Sequence, residues 1–160
     1  MVSQIIDAGE TVLITHGYEA ASTNRIAHTA GISPGSLYRH FPNKDAIVTA
    51  VVDRYNDEVV TTLRRYVFDN LTQPLEIAVP AMISVQLDAL ADRPELLRAV
   101  MEQTPRLSAS GTVFAFEQQI SEVARTVQHL TIRYILDRPA MVRAHFVADL
   151  TRLVRNFVQE

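Results

Sequence analysis

Residues 30–44, AGISPGSLYRHFPNK, decide how the fold of this 160-residue chain is interpreted. Gly31 is expected to end one helix, and Ser33 is placed to cap the next one. Pro34 suits the first position of that helix, because the N–H that proline lacks has no helical partner there. The stretch therefore predicts a turn, a very short helix, a second turn and the start of a long helix.

Two more helices are predicted before this stretch. Apolar residues recur at helical spacing over residues 2–15, which predicts an amphipathic helix that Gly17 ends. Ser22 or Thr23 is expected to cap a second helix. The apolar face of that helix consists of Ile26, Ala27 and Ala30. A short helix carried on two others is an arrangement that the major groove of DNA accepts.

Four segments resemble the DNA-binding domain of TetR-family transcriptional regulators: IIDAG at 5–9, HGYEAAS at 16–22, IAHTAGIS at 26–33 and GSLYRHFPNKDAI at 35–47. Beyond residue 55 the resemblance is one of architecture. It implies an all-α fold in which residues 1–45 form a three-helix domain with a helix-turn-helix. Residues 46–160 would then form a helical domain for effector binding and dimerisation.

The periodicity of the second part also predicts helices. Asn43 is expected to cap a fourth helix that continues to about Phe68. Pro80 lies inside the fifth predicted helix and is expected to kink it. The remaining apolar patterns predict helices at 75–91, 94–104, 112–136 and 139–158. No segment has convincing strand alternation, so the predicted fold class is all-α.

The resemblance implies DNA contacts for nine residues. Pro34 and Gly35 match positions whose small size lets the helix approach base edges, and Arg39 matches a position that often reaches the bases. An arginine can bind guanine O6 and N7 with two hydrogen bonds. The positions that match phosphate contacts are Thr23, Ser33, Ser36, Tyr38, His40 and Lys44. A cap alone for Ser33, and core packing for Tyr38 or His40, remain as alternatives.

The net charge of −3 is not typical of a DNA-binding protein. Phosphate binding depends on local charge and on N–H groups at helix ends, and Arg39 and Lys44 flank the predicted reading helix. We therefore expect modest non-specific affinity. Met1 lies almost inside the first helix, so the basic arm that is common before it in the family is expected to be lost or trimmed.

Several functional classes are disfavoured. The chain has no cysteine, which excludes disulfides, thiolate catalysis and cysteine-ligated metal. No signal peptide or membrane-spanning apolar run is present, which favours a cytoplasmic protein without a membrane partner. His145 and Asp149 share a helical face and are interpreted as a structural pair. Because no catalytic or phosphate-loop motif is found, we expect no enzyme activity, no metal and no cofactor.

The resemblance also implies an apolar or amphipathic small-molecule effector within the helical domain. Its candidate contacts, each of which could equally be plain core, are Met82, Gln86, Met101, Phe114, Phe116, Gln119 and Phe146.

A homodimer is implied as well, since a palindromic operator needs two readers about 34–36 Å apart. The last predicted helix offers an apolar interface of Val142, Phe146, Leu150, Leu153 and Phe157. The long final helix that family members usually add to this interface is expected to be missing.

The predicted function is a DNA-binding regulator, most simply a repressor that a small molecule releases from double-stranded operator DNA. Two alternatives remain: an activator or ligand-independent DNA binder of the same fold, and a helical ligand-binding module that has lost DNA binding. The intact GSLYRHF run at 35–41 argues against the second alternative.

Overall fold

The computed structural model describes residues 1–70, 72–108, 122–137 and 139–158. Their helices are α1 (Val2–Ala20), α2 (Thr23–Thr29), α3 (Pro34–Tyr38), α4 (Lys44–Asp69), α5 (Leu75–Ala91), α6 (Pro94–Ser108), α7 (Glu122–Asp137) and α8 (Arg143–Val158). No strand occurs among these residues, and the predicted all-α fold is confirmed. Within the same ranges, no helix is both long enough and apolar enough to cross a bilayer.

The chain forms two compact units. The first consists of Met1–Asp57 and Glu95–Ser110, and the second consists of Glu58–Pro94 and Gly111–Glu160. This division differs from the predicted boundary between residues 45 and 46. The first half of α4 belongs to the N-terminal unit because its apolar stripe, Ile47, Val48, Val51, Val52 and Tyr55, is buried there.

The core of the first unit is built from one face of each of its N-terminal helices. The buried residues are Ile5, Ala8 and Val12 on α1, Ile26 and Ala27 on α2, Leu37 on α3, Phe41 after it, and Ile47 on α4. The predicted apolar face of the second helix, Ile26, Ala27 and Ala30, is thereby confirmed as part of the core. At Gly9 the helices approach so closely that an added Cβ would lie 2.7 Å from the Cγ2 of Ile47.

Local signals placed most helix ends correctly. Gly17 interrupts α1 with a φ of 70°, although helical residues continue after it to Ala20, beyond the predicted end. Gly31 follows α2 with a φ of 66°, a conformation that glycine adopts without steric cost. The side chains of Ser22 and Asn43 accept hydrogen bonds from the backbone N–H groups of Arg25 and Ala46, as caps do.

Two predicted helix ends in the second half of the chain were wrong. Helix α6 continues to Ser108 rather than ending at residue 104. Helix α8 begins at Arg143 rather than at Pro139, because the Val142 carbonyl accepts the N–H groups of His145 and Phe146 and starts the helix there. Helix α5 runs through Pro80 as one element. Residues 112–121 of the predicted seventh helix lie outside the described residues.

The second unit has its own core, where α5, α7 and α8 meet. Its buried residues are Ile83, Leu87, Val127, Phe146 and Leu150. The rings of Tyr134 and Phe146 stack with their centroids 4.2 Å apart. An ion pair of 2.7 Å between Arg143 and Asp88 also links α8 to α5.

Candidate DNA-binding surface

Helix α3 is short and sharply defined at its start. The Ser33 hydroxyl accepts a hydrogen bond from the Ser36 N–H at 3.1 Å, and the two hydroxyl oxygens lie 3.0 Å apart. Pro34 occupies the first turn. Ser33 is therefore a helix cap, and its hydroxyl and that of Ser36 form one polar group at the start of α3.

Burial alternates sharply along α3 and the turn that follows it. Leu37 is completely buried and Phe41 nearly so, which fixes the helix to the core. The outward side carries exposed Pro34, Gly35, Tyr38, Arg39 and His40, with Ser36 half-buried. Since half of the Tyr38 side chain is exposed, core packing is not its role. His40 is exposed too, so the packing alternative fails for both residues.

The outer ends of α2 and α3 meet through two hydroxyl groups. The Thr23 Oγ1 lies 2.8 Å from the Tyr38 hydroxyl oxygen, and either atom can donate the hydrogen. Each hydroxyl can use its remaining hydrogen-bonding capacity toward an anionic oxygen. The structure thus brings together two residues that the family resemblance implied as phosphate contacts.

Arg39 follows the last residue of α3 and is exposed. Among the described residues, no hydrogen bond or ion pair holds its guanidinium group. The side chain therefore does not have to give up a partner in the protein before it binds a base edge. Its planar, rigid fork fixes the geometry of a two-bond contact with guanine more tightly than a flexible lysine does.

Lys44, a candidate phosphate contact, is half-buried and also has partners within the protein. Its ammonium group donates to the carbonyl oxygens of Tyr18 at 3.0 Å and Ala21 at 3.3 Å, and lies 4.0 Å from the centroid of the Tyr18 ring. Two of its three N–H groups are thus used inside the protein. Sequence reasoning missed Tyr18 as a functional neighbour, although the residue is part of the HGYEAAS segment.

Two acidic residues of α1 are neutralised locally. Arg54 on α4 forms ion pairs with Asp7 at 2.5 Å and Glu10 at 2.7 Å. These two hydrogen bonds raise the pKa of Arg54 against the effect of its partial burial. The first 44 residues carry three acidic and three basic side chains, and two of these acids are compensated by Arg54, which lies more than forty positions away in the chain.

The candidate effector contacts are distributed over both units. In the second unit, Gln86 and Phe146 are buried and Met82 is half-buried, whereas Met101 belongs to the first unit. Phe114, Phe116 and Gln119 lie outside the described residues.

Open grooves are present among the described residues of the second unit. One of about 310 Å³ is lined by Pro80, Ala144, Val147, Ala148, Thr151, Arg152 and Arg155. Another, of about 320 Å³, is lined by Glu58, Val59, Thr62, Asp88, Ala89, Asp92 and Arg93. None of the candidate effector contacts lines either groove.

The predicted dimer face of α8 is split by the structure. Phe146 and Leu150, two residues of the predicted interface, are instead buried against α5 and α7 of the same chain, so they are covered without a second copy. Val142, Leu153 and Phe157 remain exposed, by 61%, 37% and 53%. These three residues are the part of the predicted interface that a second copy could still cover.

The predicted pairing of His145 with Asp149 is replaced by another contact, since Asp149 lies 3.5 Å from Arg152. Within the described part of the chain, no three histidine or acidic side chains are close enough to hold a metal ion.

Comparison with known proteins agrees with the surface just described. Residues 5–51 match the model for bacterial regulatory proteins of the tetR family. The HTH-type transcriptional activator FasR of Mycolicibacterium smegmatis is 38% identical over 81 residues, which is 49% of this chain and 36% of that protein. The A-factor receptor protein of Streptomyces griseus is 38% identical over 55 residues, or 34% of this chain and 20% of that protein.

The chain therefore spans only about a third or less of the length of these relatives. A TetR-like transcriptional regulator from Rhodococcus sp. RHA1 has the same fold, with a TM-score of 0.71 and 16% identity over 99% of this chain and 96% of that one. Residues 5–51 therefore form a domain of the tetR family of bacterial regulatory proteins, and the described helices have the fold of a TetR-like regulator.

Proposed function

We propose that this protein is a transcriptional regulator that binds double-stranded operator DNA through α3 and acts in the cytoplasm. The observation that carries the proposal is the surface formed by α2 and α3, where Thr23 and Tyr38 join their hydroxyls and Arg39 is exposed beside them. Hydroxyls can position phosphates, and the arginine can read a base. This is a binding function, and no step of it requires catalysis.

The test is selection of a duplex from a randomised DNA pool with the full-length chain, followed by anisotropy titration. We expect an enriched sequence with two-fold symmetry and at least about a thousand-fold preference over random duplex. The variant Arg39→Lys keeps the charge but loses the rigid fork of the guanidinium, so it should bind random duplex normally and lose part of the preference. A wild-type chain that enriches no sequence would overturn the proposal.

We further propose that the regulator acts as a homodimer whose interface includes Val142, Leu153 and Phe157. Two-fold symmetric DNA requires two copies of the DNA-binding helix. Exposed apolar side chains such as these are stabilised when a second copy of the chain covers them. Sedimentation of the full-length chain at micromolar concentration tests this proposal, and a monomer under those conditions would contradict it.

A small-molecule effector is the remaining part of the proposal. We propose that Met82, Gln86 and Phe146 in the second unit contribute to its binding site. Gln86 supports a ligand with a polar group, because it is a polar side chain in a mainly apolar interior. Helix α4 supplies residues to both units, so it can carry a ligand-dependent displacement toward Lys44.

Linkage provides the test of the effector. A ligand found by screening must weaken operator binding by the same factor by which operator weakens ligand binding, typically about 5–150-fold. Calorimetric titration with and without the enriched duplex measures that factor, and identical ligand affinity in both would leave a ligand-independent DNA binder. Activation of transcription stays the alternative to repression, since a relative with 38% identity is named an activator. A reporter downstream of the enriched sequence separates the two.

A further inference from the structure

The end of α1 and the start of α4 are joined by a small group of polar contacts. The Lys44 ammonium lies over the Tyr18 ring, 4.0 Å from its centroid, and donates to the carbonyls of Tyr18 and Ala21. In the opposite direction, the Tyr18 hydroxyl donates to the carboxylate of Asp45. We call Tyr18, Ala21, Lys44 and Asp45 the α1–α4 clasp.

Each contact of the clasp places a favourable charge or hydrogen-bond donor next to the other helix. The Tyr18 carbonyl accepts the Ala21 N–H as well, and an ammonium donor uses the remaining accepting capacity of the Tyr18 and Ala21 carbonyls. The face of a tyrosine ring attracts the same cation. Asp45, in the first turn of α4, gains a hydroxyl donor in addition to the favourable dipole of its own helix.

The clasp joins the two ends of the segment that carries α2 and α3. Residues 22–43 carry both α2 and α3, and the clasp joins the residues on either side of that segment. Ala21 directly precedes it and Lys44 directly follows it. Gly17, with its φ of 70°, lets the chain change direction immediately before Tyr18. The clasp therefore holds the two ends of the DNA-reading segment together.

We propose that Tyr18 is a positioning residue for DNA recognition, which acts through Lys44 and Asp45 to fix the base of the segment that carries α3. This inference rests on the proposed DNA-binding function. This role differs from that of a phosphate contact. Tyr18 affects the position of α3 relative to the base edges, and hence the preference for one sequence, whereas a phosphate contact adds affinity for every sequence.

The experiment measures binding of the full-length chain to the duplex that it enriches and to random duplex, over a series of salt concentrations. Tyr18→Leu removes the ring and the hydroxyl without changing any charge. We expect about 3- to 30-fold weaker binding to the enriched duplex, at most about a two-fold change on random duplex, and an unchanged salt slope. Tyr18→Phe keeps the ring beneath Lys44 and should lose only part of this preference.

Thr15→Ala is the matched control. Thr15 lies on the same helix, but its hydroxyl donates only within α1, to the Thr11 carbonyl at 2.6 Å. This variant should bind both duplexes as the wild type does.

A double-mutant cycle tests the route through Lys44. In a Lys44→Met background, Tyr18→Leu should cost much less than in the wild type, because the partner of the ring is already gone. Fully additive losses, or equal losses on enriched and random duplex, would overturn the inference.

Circular dichroism shows whether each variant folds. If Tyr18→Leu does not fold, Tyr18→Phe decides, and an unchanged ratio of enriched to random affinity overturns the inference. If the wild type prefers the enriched duplex and the Tyr18 variants bind both duplexes as it does, only this inference is overturned. A wild-type chain that enriches no sequence overturns the proposed function as well.

Discussion

The hydroxyl oxygen of Thr23 lies 2.8 Å from that of Tyr38, so the first residue of α2 and the last residue of α3 meet at one exposed point. We predict that Tyr38→Phe weakens binding to enriched and random duplex by the same factor, about 2- to 10-fold, because a neutral phosphate donor is lost. The salt slope should not change, since no charge is removed. Anisotropy titration measures both quantities, and a loss confined to the enriched duplex would contradict the phosphate role.

Arg39 should behave in the opposite way. Arg39→Ala is expected to cost about 1–3 kcal/mol on the enriched duplex and to relax the preference at one base pair in each half-site. Repeating the selection with the variant locates that base pair. Equal losses on enriched and random duplex would remove the base-reading role from this side chain.

The close approach of α1 and α4 predicts a strong packing effect at Gly9. A Cβ there would lie 2.7 Å from the Cγ2 of Ile47, so Gly9→Ala should destabilise the protein by about 1–3 kcal/mol through overpacking. At Gly35 the nearest contact would be 3.9 Å, and Gly35→Ala should leave stability equal or raise it by about 0.5–1 kcal/mol. Denaturant unfolding compares the two variants, and equal free energies of unfolding would refute the packing argument.

Two leucines of α8 should respond differently to the same change. Leu153 is 37% exposed, so Leu153→Glu should yield a folded monomer if this face is the dimer interface. Leu150 is 3% exposed in the core of its own unit, so Leu150→Glu should unfold that unit by burying a charge. Sedimentation and thermal unfolding together separate the two outcomes. A folded monomer from Leu150→Glu would show that the core assignment is wrong.

The ion pair between Asp88 and Arg143 predicts a contribution to stability that depends on pH. The hydrogen bond from Arg143 lowers the pKa of Asp88 below its usual value of about 3.9. A lowered pKa in the folded state adds stability that is complete above the pKa of the unfolded chain and is lost as pH falls through the folded value.

The wild type should therefore lose more stability than Asp88→Asn between about pH 5 and pH 3. Denaturant midpoints at several pH values measure the difference. Asp149→Asn, which removes a carboxylate 3.5 Å from Arg152 on the same face of the chain's last helix, is the control for the change in net charge. Parallel curves for the wild type and Asp88→Asn would contradict the prediction.

Local chemistry explains what could be predicted from the sequence. The helix starts at Ser22, Ser33 and Asn43 follow from side chains that accept nearby backbone N–H groups, and the breaks at Gly17 and Gly31 follow from a conformation that other residues avoid. Capping and the glycine conformation depend only on residues a few positions apart, so both can be predicted from the sequence. The nine candidate DNA residues came from the family resemblance, and their contacts with DNA remain predictions.

Contacts between residues that are far apart in the chain became known only from the tertiary structure. The phosphate contact of Lys44 remains a prediction, and the structure adds hydrogen bonds from its ammonium to the carbonyls of Tyr18 and Ala21. Arg54 pairs with two acids more than forty positions earlier. Helical spacing placed Phe146, Leu150 and Leu153 on one face, yet only packing against α5 and α7 covers the first two and leaves the third exposed. Periodicity identifies an apolar face, whereas the helices that pack on it determine how much of that face remains for a partner.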